Sequence, residues 1–161
     1  MNKIIKDRNK LKIILEKEKK KGKTIVFANG CFDLFHVGHL RYLEGAKEQG
    51  DILVVAINDD NSIKKQGKKG RPIIPLKERM EILESLEAVD YIIPFSEQRV
   101  DNLLSYFMPH IHAKGTDYRE ETVPERETVL SYGGKIKIVG DPKQHSTTDL
   151  IKRIKNTFFN F

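Results

Sequence analysis

The chain of 161 residues carries 29 Lys and Arg against 23 Asp and Glu, a formal charge of +6, with 39% hydrophobic residues and one cysteine. That length holds one ordinary core and not two, no apolar run approaches the roughly 20 residues of a membrane span, and the N-terminus has no signal-peptide-like apolar stretch. The lone Cys31 excludes an internal disulfide and a cysteine-based zinc cluster, so the expectation is a cytoplasmic single domain over 1–161, with residues 1–22 as an N-terminal helix on a core over 23–156.

Residues 3–21 place Ile4, Ile5, Leu11, Ile14 and Leu15 at roughly helical spacing among lysines and glutamates, which predicts an amphipathic helix. Thr24 to Ala28 is a short β-branched and apolar run ending in Asn29-Gly30, the pattern of a buried strand and a sharp turn. Strand and helix then alternate: helix 37–49, strand 52–57, helix 76–86, strand 91–94, helix 100–107, strand 110–113, helix 124–132, strand 135–139 and helix 147–156. Such alternation predicts an α/β fold, a single Rossmann-like doubly wound parallel sheet of about five strands with helices on both faces. Ligands of such sheets sit beyond the carboxyl ends of the strands, where segments 29–39, 58–71, 114–118 and 140–148 fall.

Much of the positive excess lies in two runs, Lys17 to Lys23 and Lys64 to Arg71. The first reads as a solvated helix face. The second, beside Gly67 and Gly70, reads as a mobile loop whose cations meet the phosphates of a small ligand or of RNA. A nucleic-acid-binding module ranks below an enzyme, because the aromatic interleaving that base stacking needs is missing and no nucleic-acid recognition motif is present.

The segment Asn29 to His39 contains H-x-G-H. Gly30 permits a turn close to a ligand, and Gly38 near the helix start lets another backbone approach. Free amides and the positive end of the helix dipole then face one space. His36 and His39, three residues apart, project from one face, and two imidazoles beside a helix N-terminus favour an anion. Zinc is a rival occupant, with Asp33 the one acidic residue nearby, and two satisfied structural histidines are another reading. Cys31 reads as a small buried turn residue or as a thiol nucleophile beside His36 and His39.

G-x-F-D-x-x-H-x-G-H, standing here as Gly30 to His39 directly after a strand, resembles the signature of the cytidylyltransferase-like nucleotidyltransferase superfamily. The resemblance implies in-line attack by a substrate phosphate oxygen on the α-phosphorus of a triphosphate, without a covalent enzyme intermediate. It also implies that His36 and His39 stabilise the departing charge and that Mg2+ accompanies the phosphates. Ser146-Thr147-Thr148 suits phosphate at a second helix N-terminus or serves as a simple N-cap; the superfamily's Ser-Thr pair at this place implies phosphate contact. Lys114-Gly115-Thr116-Asp117-Tyr118 reads as a loop laid against a base, or as a surface turn.

Together with Asn58-Asp59-Asp60-x-Ser62, Lys69-Gly70-Arg71-Pro72, Glu78-Arg79, Val89-Asp90-Tyr91 and Gly133-Gly134, these segments are similar to the heptose 1-phosphate adenylyltransferases of bacterial lipopolysaccharide biosynthesis. The resemblance implies ATP and heptose 1-phosphate as substrates, ADP-heptose and pyrophosphate as products, and no nucleic acid or membrane partner. It implies catalytic roles for His36, His39, Lys69 and Arg71, and acceptor contacts at Asp33, Asn58, Asp60, Arg71 and Arg79. Nucleotide contacts are implied at Asn29, Gly30, Cys31, Phe32, Gly38, His39, Lys114, Gly115, Asp117, Tyr118, Ser146, Thr147 and Thr148. No residue is assigned as a direct metal ligand, and adenine is implied by the family rather than by any residue pattern. Residues 119–127 depart from the family's kinase-fused domain. The nearest rival, the glycerol phosphate cytidylyltransferases, carries Gly-Thr-Phe-Asp and Arg-Thr-x-Gly-Ile where this chain has Gly30-Cys31-Phe32-Asp33 and Pro142-Lys143-Gln144-His145. Phe158, Phe159 and Phe161 are expected to pack on the domain or on a partner subunit of a homo-oligomer.

Overall fold

The computed structural model describes residues 2–142 and 144–159. β2 (Ile52–Asn58) is buried at every position, as a strand covered on both faces of a parallel sheet must be. It pairs in parallel with β1 (Ile25–Gly30), Ile25 opposite Ile52, and with β3 (Tyr91–Phe95), Val54 opposite Tyr91. β4 (Ile111–Lys114) and β5 (Lys135–Ile138) continue beyond β1, giving the order β3-β2-β1-β4-β5. The winding reverses between β1 and β4, and a crevice opens at their carboxyl ends.

Side-chain alternation along the strands sorts the apolar residues into two layers. Ile25, Phe27, Val54 and Ala56 meet Leu11 and Leu15 of α1 (Arg8–Lys20), Leu103, Leu104 and Phe107 of α5 (Asp101–Phe107), and Val129 of α6 (Arg126–Ser131). Val26, Ala28, Leu53 and Val55 meet Leu43 and Ala46 of α2 (Val37–Lys47), and Met80 and Leu83 of α4 (Leu76–Glu84). Each fully buried Leu or Phe contributes about 1.5–3 kcal/mol, so the two layers fix the strand ends on which the crevice depends.

Two helix starts at the crevice are capped by short polar side chains of their own. Asp59 Oδ1 accepts the Ser62 amide at 2.8 Å at the head of α3 (Asp60–Lys65), and Ser146 Oγ accepts the Asp149 amide at 3.0 Å at the head of α7 (Thr147–Phe158). α4 has Pro75 at its cap position and no cap of its own; Asp60 supplies one from α3, accepting the Leu76 amide at 3.0 Å.

The helix expected over 3–21 begins only at Arg8, where Asp7 caps it by accepting the Asn9 and Lys10 amides at 2.8 and 3.1 Å. Upstream, the chain runs extended beside β3: the Ile92 amide donates to Lys3 O and the Ile5 amide to Ile92 O, both at 2.9 Å. The loop expected over 64–71 starts later, because α3 takes in Lys64 and Lys65, which lie in a helical turn. Residues 124–132 give a shorter helix behind a 3-10 turn at Glu120–Thr122. α7 runs on to Phe158 with no buried residue. Phe158 and Phe159 are 74% and 58% exposed, so neither packs on this chain's own domain; Phe161 lies outside the described residues. No helix among the described residues is long and apolar enough to cross a membrane.

Candidate active site

Beyond Gly30 the chain makes two left-handed turns at residues that are not glycine, Phe32 with φ 52° and Leu34 with φ 50°. Each costs on the order of 1–3 kcal/mol and persists only where the surroundings over-determine it. They do so here. Asp33, between the two and 2% exposed, accepts the amides of Ile73 and Ile74 through its two carboxylate oxygens, both at 2.9 Å. The Thr147 hydroxyl donates to Asp33 O at 2.8 Å. The loop is thus tied to the 71–75 segment and to the head of α7, and it delivers His36 to the N-cap of α2.

At that cap His36 Nδ1 accepts the Gly38 amide at 3.1 Å, and His39 Nδ1 accepts the His36 amide at 3.3 Å. A neutral imidazole accepting at Nδ1 carries its proton on Nε2, so the backbone fixes both tautomers. His36 Nε2 is fully covered and has no hydrogen-bond partner. Burial pushes both imidazoles down, His39 to about 4, helped for His36 by the neighbouring His145 and for His39 by His36. Both are therefore neutral donors near pH 7. Gly38 is required by space: a Cβ there would stand 2.9 Å from His36 Cε1 and 3.1 Å from His145 Cβ.

α7 closes one side of the resulting cavity. Arg71 Nη2 reaches Thr148 Oγ1 at 3.4 Å, so a guanidinium lies beside the helix head, whose free amides and dipole already favour an anion. Cys31 Sγ sits 3.7 Å from Asn58 Oδ1 and takes a contact from Gln66 Nε2 at 3.5 Å. Burial pushes this thiol up, which disfavours the thiolate a nucleophile needs.

The β4 exit closes the other side. Lys114 is 8% exposed and Glu125 5%, with 3.6 Å between Nζ and Oε2. The Lys114 ammonium lies 4.7 Å from the Tyr118 ring centroid. Burial pulls its pKa down against the pull of Glu125. Fully buried His112 holds Asn29 Oδ1 at 3.0 Å, and burial keeps it neutral with a pKa near 3.

These walls enclose about 890 Å3, within the range of small-molecule sites. From the β1 exit the cavity takes Asn29, Gly30, Cys31, Phe32, Asp33, His36, Gly38 and His39, and from β2 and the loop after α3 it takes Asn58 and Arg71. Lys114, Gly115, Asp117 and Tyr118 line it from β4, and Ser146, Thr147 and Thr148 from α7. Lys69, Asp60 and Arg79 are not among its lining residues. Lys69 is solvent-exposed, and Lys68 is the cation of that run that reaches the cavity. Arg79, 1% exposed, spends its guanidinium on Ile74 O, Cys31 O, Asn58 O and Asp60 Oδ1 at 2.6–2.9 Å. Asp60 and Arg79, expected among the acceptor contacts, pair with each other and tie the β1 and β2 exits to α4. Gln98, Arg99, Glu125, Tyr42 and His145 also line the cavity and were not among the expected residues. Gln98 and Arg99 follow β3, so the post-strand rule applied to that strand finds them.

Residues 27–155 match the family described as cytidylyltransferase-like. The bifunctional protein HldE of Pelobacter propionicus is 45% identical over 150 residues, 93% of this chain and 31% of that protein. The bifunctional protein HldE of Geobacter metallireducens is 42% identical over 154 residues, 96% of this chain and again 31% of the relative, so the chain spans about a third of these curated proteins. Among solved structures, the lipopolysaccharide core biosynthesis protein of Thermoplasma volcanium aligns with a TM-score of 0.61 at 31% identity, covering 73% of this chain and 94% of that one. Pantothenate synthetase of Thermus thermophilus, at a TM-score of 0.63 and 19% identity over 90% of this chain and 63% of that one, shares the fold alone. The match over most of the chain, with the histidine pair set at the head of α2, makes this protein a member of the cytidylyltransferase-like family of nucleotidyltransferases.

Proposed function

We propose that this protein transfers AMP from ATP to a heptose 1-phosphate, giving ADP-heptose for lipopolysaccharide core biosynthesis and releasing pyrophosphate. The observation that carries the reading is the pair of stacked neutral histidines at the N-terminus of α2, each with its proton directed to Nε2 by a backbone amide. The similarity to HldE proteins and to a lipopolysaccharide core biosynthesis protein supplies the substrate class.

In the reaction a phosphate oxygen of the sugar phosphate attacks the α-phosphorus, the bond from that phosphorus to the β-bridging oxygen breaks, and pyrophosphate carries the charge away. His36 and His39 donate from Nε2 to phosphate oxygens whose charge grows as that bond breaks. A preorganised donor of this kind contributes on the order of 10²–10³ in kcat. Arg71 and the amides of α7 steady the phosphates, and no nucleophilic side chain is needed. Both Asp33 oxygens are spent on backbone amides, and the described residues hold no group of three His, Cys, Asp or Glu side chains able to grip a metal. Mg2+ enters the reading with the triphosphate, whose oxygens and retained waters supply most of its ligands. The cytoplasm, where ATP is present, and a homo-oligomer joined through the exposed Phe158 and Phe159 complete the reading.

Phosphate release with coupled pyrophosphatase tests it, across ATP, CTP, GTP and UTP against both heptose 1-phosphate anomers and glycerol 3-phosphate. Turnover with ATP and one heptose anomer, lost in His36→Ala, is expected. Turnover with CTP and glycerol 3-phosphate instead would move the chain to a different acceptor and base.

A further inference from the structure

The cavity lining includes Phe95, Gln98, Arg99, Lys114, Pro124 and Glu125, a lobe drawn from the ends of β3 and β4 and the head of α6. Glu125 is the anomaly in it. Its Oε2 is fully covered without a hydrogen-bond partner, and Lys114 Nζ at 3.6 Å stands beyond hydrogen-bonding distance. A buried carboxylate oxygen left without a donor is costly in an empty site. The cost is recovered when a ligand brings the donor.

A carboxylate only accepts, so its complement is a ligand N–H or O–H, which in a sugar phosphate is a hydroxyl, and it repels a phosphate. Within the lobe Lys114 faces Glu125 and Arg99 is paired with Asp101 and Pro124 O, so the remaining lysine and arginine of the lining are Lys68 and Arg71, the latter beside the head of α7. This division of charge orients a phosphorylated polyol in one sense, phosphate toward the histidines and hydroxyls toward Glu125. Glu125 is also held rigidly. Arg99 Nη2 donates to Pro124 O at 2.6 Å, and Asp101, which pairs with Arg99 Nε at 2.8 Å, accepts the Thr128 hydroxyl at 2.6 Å. The heads of α5 and α6 are thereby clamped on either side of it.

We infer that Glu125 is the specificity-determining residue for the acceptor, accepting hydrogen bonds from the hydroxyl groups of the sugar while Lys114 holds the carboxylate in place. The sugar in this statement rests on the reading above; the lobe itself asks only for a polyhydroxylated phosphate. A site built to pair with a hydroxyl rejects an analogue that lacks it far more strongly than a hydrophobic pocket rejects a missing methylene.

The test uses Glu125→Gln, which keeps the volume, with Glu125→Asp as a second variant that keeps the charge. KM for the sugar phosphate should rise at least tenfold in Glu125→Gln with KM for ATP within twofold and Tm within a few degrees of wild type. Single deoxy analogues of the sugar phosphate discriminate further. One of them should lose tenfold or more in kcat/KM with wild type and far less with Glu125→Gln. Equal losses for every analogue in both enzymes, or a change confined to ATP, would overturn the assignment. Calorimetric titration of heptose 1-phosphate alone into wild type and Glu125→Gln reads the same contact without turnover; equal affinities would also overturn it. If the nucleotide grid instead selects another phosphorylated polyol, the heptose reading falls, and the same comparison on that polyol decides Glu125 separately.

Discussion

The backbone amide of His36 donates to Nδ1 of His39 at 3.3 Å while the two rings stack with centroids 3.8 Å apart. The second histidine is thus part of the cap of the helix that presents the first, and the site depends on its staying unprotonated, since a protonated Nδ1 no longer accepts. Burial holds the folded His39 near a pKa of about 4 against 6.5 for an ordinary histidine. The folded protein then binds fewer protons than the unfolded chain between these values, so stability rises with pH across that window. It is full above about pH 6.5 and declines as pH falls toward 4, with His112, depressed to about 3, adding to the same slope. Urea midpoints at pH 7.5, 6 and 5 should fall in that order, and His39→Gln should flatten the dependence. A variant with the wild-type slope would show that His39 is not held neutral by the fold.

Gly38 stands where a methyl group would press on His36 Cε1 and Nδ1 at 2.9 and 3.0 Å. The imidazole is rigidly capped, so it must move with the added atom. Gly38→Ala is expected to lower kcat at least a hundredfold, because displacing a positioned group by about 1 Å costs rate of this order. Its stability should fall by only about 1–3 kcal/mol, the usual cost of overpacking. Steady-state kinetics with thermal unfolding checks this, and a fully active Gly38→Ala would remove His36 from the chemistry.

What was legible beforehand was local. H-x-G-H works through the backbone of its own turn, so spacing alone shows a paired site, and the post-strand rule locates the exits of β1, β2, β4 and β5. Burial is not local. Arg79 reads as one more cation on a helix, and nothing nearby in sequence reveals that its partners come from Cys31, Asn58 and Asp60. Ile4 and Ile5 are adjacent apolar residues, a pattern that fits a helix face and an extended edge equally; the Asp7 cap decides between them. Glu125 belongs to no motif in the sequence, and only the fold brings it opposite Lys114.

Arg79→Lys separates a holding role from an acceptor contact. A lysine reaches at most part of the four oxygens, and removing one partner from a buried charged cluster costs about 3–5 kcal/mol. The urea midpoint of Arg79→Lys should drop markedly, while KM for the sugar phosphate in folded protein stays near that of wild type. Wild-type stability with a raised acceptor KM would restore Arg79 to the binding surface.

The lysine-rich segment after α3 divides by position rather than by charge. Arg71 lines the cavity and reaches Thr148 at the head of α7, and Lys69 is exposed and outside the cavity wall. A cation in contact with phosphate is worth much more than one screened by water, because exposed charges interact by about 1 kcal/mol or less. Arg71→Ala is therefore expected to raise KM for the nucleotide at least tenfold, and Lys69→Ala to change it less than twofold, the difference narrowing at high salt. Should Lys69→Ala prove the more damaging, the segment closes over bound nucleotide in a way that brings Lys69 inward and carries Arg71 away from α7.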